Sequence, residues 1–116
     1  MENIVNIHLR FVDKTSGKPL YSDKHYLKLY DSDLIEDDFL GESTLDPNGH
    51  ALVSITANDF RGKDTPRENF PDLYFQLFKG EKKIMESQVF KNVRIEDKEA
   101  YPASGAIHFD LGTFKV

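Results

Sequence analysis

Along most of this chain apolar and polar residues alternate one for one, the period of a strand with one face buried and the other wet. Val5, Ile7, Leu9 and Phe11 alternate with Asn6, His8 and Arg10, which predicts a first strand. Thr15-Ser-Gly-Lys-Pro-Leu20 supplies a turn, punctuated by Gly17 and Pro19. A second strand is expected over His25-Tyr-Leu-Lys-Leu-Tyr30 and a short third from Leu40 to Leu45. Asp46-Pro-Asn-Gly49 then turns the chain, with Pro47 presetting φ and Gly49 accepting a positive φ. The fourth strand, Ala51 to Thr56, puts Ala51, Val53 and Ile55 on one face. Asn58-Asp-Phe-Arg61 reads as one helical turn before a polar loop to Asn69. Leu73-Tyr-Phe-Gln-Leu-Phe78 predicts a fifth strand with Leu73, Phe75 and Leu77 inward, and Lys79-Gly-Glu-Lys82 turns it into a sixth from Lys83 to Phe90. After a long loop containing Tyr101 and Pro102, Ile107, Phe109 and Leu111 alternate with His108 and Asp110 in the last strand.

Short strands separated by turns, with at most one short helix, predict an all-β fold: an antiparallel β-sandwich of seven to eight strands. At 116 residues the chain reads as a single domain over 1–116, without repeat or linker. Nine Phe and five Tyr suit a sheet, because aromatic rings pack well on a pleated, half-buried surface. A net charge of −5 disfavours a nucleic-acid partner and electrostatic attachment to anionic lipid. Absence of cysteine excludes disulfides and thiolate metal sites. The N-terminus shows no basic segment followed by an apolar one, and no run reaches membrane-spanning length. The expectation is therefore cytoplasmic synthesis without a signal peptide or membrane insertion, with export by a non-classical machine left open.

Three blocks in register resemble a known module: Val12-Asp13 with Thr15 to Leu20, Leu29 to Asp33 with Asp37 to Gly41 and Asp46 to Gly49, and Phe70 to Phe75. Together they are similar to the transthyretin-like, or carboxypeptidase-regulatory-like, β-sandwich modules. The resemblance covers about residues 4–90. It implies a transthyretin-like topology and a non-catalytic role, binding another protein or riding on a secretion apparatus or surface assembly. One branch of that family hydrolyses hydroxyisourate with histidines and a C-terminal Tyr-Arg-Gly-Ser tail. This chain ends Gly112-Thr-Phe-Lys-Val116, which argues against that activity.

The densest chemistry lies between Asp31 and Glu42, where Asp31, Asp33, Glu36, Asp37, Asp38 and Glu42 precede or flank an apolar Phe39-Leu40. Such carboxylates repel unless a cation, backbone N–H groups or water compensate them. One reading is a structural corner in which Asp31 and Asp33 accept backbone N–H groups. The other is a calcium site using Asp31, Asp33, Asp37 and Asp38, calcium being the sole cofactor candidate. An EF-hand register fails, since Glu36 stands where the sharp turn needs glycine. The stretch also resembles calcium-and-lipid-binding domains of the synaptotagmin type. A second, earlier acidic loop completes those sites, and here only Asp13 and Asp23 stand near an early turn.

Four histidines, His8, His25, His50 and His108, invite a zinc reading, but none falls at a ligand spacing. Exposed strand histidines are the expectation, with His8 and His108 as neighbours if the terminal strands pair. No nucleophile motif and no phosphate-binding glycine loop occur, so no catalytic residue is assigned and an enzyme is not expected. Tyr26, Tyr30, Tyr74 and Phe78 fall on the strand face opposite the core. They are the candidate partner-binding residues, unless loops 61–70 and 91–104 cover them. The sequence thus points to a non-catalytic protein-binding or adaptor module, with a calcium-dependent binding domain as the alternative.

Overall fold

The computed structural model describes residues 4–32, 37–56, 72–91 and 106–116. The strands are β1 Ile4–Val12, β2 His25–Asp31, β3 Asp38–Thr44, β4 His50–Thr56, β5 Leu73–Lys79, β6 Lys82–Glu86 and β7 Ala106–Lys115. They form two sheets, β4-β1-β7 and β3-β2-β5-β6. No helix occurs among the described residues, and the helical turn expected at 58–61 lies outside them. The all-β sandwich read from the alternation is therefore the fold observed.

Alternation chose the core correctly. Val5, Ile7, Leu9 and Phe11 from β1 are fully buried, as are Leu27 and Leu29 from β2 and Leu73, Phe75 and Leu77 from β5. Ala51, Val53 and Ile55 of β4 close the layer, together with Leu45. Burying each large side chain stabilises the fold by roughly 1.5–3 kcal/mol. Glycine sets how near the sheets approach, because a Cβ on Gly41 of β3 would stand 2.8 Å from Cγ1 of Val53.

Most ladders are antiparallel, but β1 and β7 run parallel. A tight hairpin forces antiparallel pairing, and β1 and β7 are separated by the whole second sheet, so no hairpin constrains them. The Asp46–Gly49 turn likewise carries the chain between sheets, since β3 and β4 lie in different ones. Gly49 adopts φ 74° there with its Cα against the carbonyl of Phe11, a position a side chain could not share.

The larger departures from the expected strand limits are in the last two strands. The sixth strand stops at Glu86, and Phe90 meets Leu73 only through an isolated bridge. The last strand continues past Leu111 to Lys115 through a bulge, because His8 pairs with Asp110 and Leu9 with Gly112. Gly112 takes φ 133° at that bulge, and the extra residue reverses the inward phase. Phe114 consequently turns inward opposite Phe11, and its ring lies 4.8 Å from that of Phe75.

Candidate functional site

Three groups of polar or aromatic side chains compete for a role. The first is the acidic end of the β2–β3 hairpin. Asp31 and Asp38 face one another across its mouth, and like charges so placed repel. Asp31 accepts the backbone N–H of Asp72 at 3.3 Å, and Asp37 accepts the hydroxyl of Tyr74 at 2.6 Å. Burial, and next that hydrogen bond to Asp37, push the Tyr74 hydroxyl well above its ordinary pKa. Asp33 and Glu36 lie outside the described residues. Among the described residues no set of three or more acidic or histidine side chains is placed to hold a metal ion.

The second group is the outer face of β3-β2-β5-β6, where the register assembles all four candidate aromatics. Tyr26 stands opposite Phe78 and Tyr30 opposite Tyr74. Both pairs stack, with ring centroids 5.1 Å apart and interplanar angles of 9° and 13°. Phe39, 53% exposed, meets Tyr30 edge-on at 5.7 Å and extends the upper row to the sheet edge. A polar row runs between the two stacks. Lys28 stands opposite Gln76 and Glu42, and the Gln76 amide donates to Glu86 at 2.9 Å. The Lys28 ammonium lies 5.4 Å from the centre of the Phe78 ring, within cation–π range. The face is thus an aromatic, a polar and a second aromatic band, half-buried at Tyr26, Lys28, Tyr30, Tyr74, Gln76 and Phe78 and exposed at Phe39, Glu42 and Glu86. Loops 61–70 and 91–104, the expected alternative cover, lie outside the described residues except for Lys91.

The third group was only partly legible beforehand. On the outer face of β4-β1-β7, Nδ1 of His8 lies 2.9 Å from Nε2 of His50, and Nε2 of His8 lies 3.0 Å from Nδ1 of His108. The expected neighbourhood of His8 and His108 is realised, and His50 joins from a strand the sequence did not place beside them. His25 corrects the expectation of exposed histidines. It is 6% exposed, and its Nδ1 shares a 2.7 Å hydrogen bond with the Ser22 hydroxyl. Burial, then Lys79, holds its pKa below the ordinary value. Burial likewise lowers that of His8, followed by repulsion from His50 and His108, with Asp110 pulling the other way. An open groove of about 360 Å³ runs beside the row, lined by His8, Leu9, Arg10, His50, Asp110 and Thr113.

No family model matches the chain, and no curated protein does. Among solved structures it is similar to a 9R-lipoxygenase from Cyanothece PCC8801, with a TM-score of 0.53 and 22% identity. That match covers 99% of this chain but 16% of the lipoxygenase. The likeness is one of fold. The chain spans a small fraction of the protein it resembles.

Proposed function

We propose that the chain is a non-catalytic protein-binding module, an adaptor that contacts its partner through the outer face of β3-β2-β5-β6. The observation that carries this reading is the pair of stacked rows, Tyr26 with Phe78 and Tyr30 with Tyr74. Stacked pairs hold their rings in fixed orientations before any partner arrives, which reduces the ordering cost of association. The polar band of Lys28, Gln76 and Glu86 between them supplies hydrogen bonds and orientation. A transthyretin-like identity, and with it attachment to a secretion apparatus or surface assembly, belongs to the same proposal and rests on the sequence blocks alone.

The test is affinity capture with the chain and two charge variants, Tyr26→Glu and Phe78→Glu, checked for folding by circular dichroism. Both variants should keep the wild-type spectrum and lose the captured partner. Leu52→Glu, on the opposite sheet where Leu52 is 41% exposed, should retain it. Equal capture by all four proteins overturns the reading.

A further inference from the structure

The three histidines of the outer β4-β1-β7 face are joined in one row, so their protons are not independent. Each N···N contact is short enough to be a hydrogen bond and therefore holds one hydrogen, whichever ring donates it. The contacts use both nitrogens of His8, Nε2 of His50 and Nδ1 of His108. The remaining two nitrogens, Nδ1 of His50 and Nε2 of His108, can carry at most one hydrogen apiece. The row therefore accommodates at most four hydrogens with both contacts intact. Three neutral imidazoles bring three, so there is room for at most one more proton and no second.

We propose that His50, His8 and His108 form a proton-binding site of capacity one, in which a second proton breaks a cross-strand contact and makes this sheet an acid-sensitive clamp. Carboxylates stand on either side of the row. Asp46, from the turn before β4, places Oδ2 3.6 Å from Nδ1 of His50. Asp110 of β7 pairs with His8 in the register and is a second carboxylate beside the row, while Arg10 of β1 is a cation of the same face. Asn6 and Ser54, hydrogen-bonded to each other at 2.6 Å, lie beside the row with Leu52, and Lys115 of β7, opposite Val12, is a further cation of the face.

The same geometry disfavours a metal as the ligand. The two nitrogens of His8 point in opposite directions, each to a different neighbour, so the three rings do not converge on one point. A proton needs no such convergence. The row is built for transfer of hydrogens along it rather than for coordination.

Histidine-resolved NMR of the full chain from pH 8 to 4.5 tests this. His8, His50 and His108 should share a first protonation step with ring-to-ring contacts retained. The second step should fall about one pH unit or more lower, together with loss of one contact. His25, in the other sheet and bonded to Ser22, reports the folded state separately. In His8→Val, His50 and His108 should each take a proton in its own single step. Three independent single-site curves in the wild type, or a doubly protonated row with both contacts intact, overturn the proposal. If His8→Val fails to fold, the wild-type titration still decides.

Discussion

The two outer faces of this sandwich grow from one alternating pattern over one core, yet they carry opposite chemistry. On β3-β2-β5-β6 the outward phase places aromatics at directly opposed positions, so Tyr26 meets Phe78 and Tyr30 meets Tyr74 along the ladder itself. On β4-β1-β7 the directly opposed partners of His8 are Leu52 and Asp110, and the histidines meet diagonally. Direct opposition favours stacking, worth about 0.5–1.5 kcal/mol per aromatic pair beyond area burial. Diagonal reach favours hydrogen bonds between ring edges, and those change with protonation. The inward residues create both faces. What each face does depends on the outward residues and on register.

The largest expected effect removes what the faces share. Phe75→Ala empties a site where the ring packs against Phe11 and Phe114, and should lower stability by about 3–5 kcal/mol in denaturant unfolding. A single transition reporting the loss of both faces is the expected form. Two separate transitions would show that the faces do not share a core.

A smaller change separates the faces. Tyr30→Ala breaks a stack and an edge contact on one side alone and should destabilise by about 1–2 kcal/mol. Histidine signals of the row should stay in place, and their movement would join faces that the structure keeps apart.

Acid acts on both sheets, through His8 of β1 on one and His25 of β2 on the other. His8 and His25 both have depressed values in the folded state relative to 6.5. The unfolded chain therefore binds more protons below that pH, and stability must fall as pH falls from about 6.5 through the folded values. The Tm should be steady from pH 8 to 7 and decline as pH falls below about 6.5. The His8→Val variant should decline less steeply. Asp13, held low chiefly by backbone N–H groups of Ser16 and Thr15, and Asp46, held low chiefly by that of His50, add their losses only as pH falls below the ordinary carboxylate value of 3.8.

The smallest effect concerns the acidic hairpin. Because Asp31 and Asp37 already accept hydrogen bonds from Asp72 and Tyr74, millimolar calcium should move the Tm by less than about 1 °C. A larger rise, reversed by chelator and absent from Asp37→Asn, would restore the calcium reading of Asp31, Asp33, Asp37 and Asp38.

Much of this was legible in the chain, and the gaps have identifiable causes. The inward residues of β1, β2, β4 and β5 follow from alternation, since a period of two admits only two faces. Phe114 escaped because the bulge at Gly112 reverses phase after Leu111, and an extra residue leaves no mark on local hydropathy. The bond from Tyr74 to Asp37 joins the fifth strand to the hairpin end, a pairing no local spacing encodes. His50 directly follows the Asp46–Gly49 turn, and its place beside His8 needs the β1–β4 register, which no local spacing encodes.

The sequence by itself determined that this is an all-β sandwich, which residues fill it, and that Tyr26, Tyr30, Tyr74 and Phe78 look outward. Those are consequences of local period and turn chemistry, which act over a few residues. Only the tertiary structure decided that β1 and β7 run parallel, that the aromatics stack in rows and that His50, His8 and His108 meet in one row. Each of these depends on which strands become neighbours and at what offset. Long-range packing sets that choice, and it is invisible to any window along the chain.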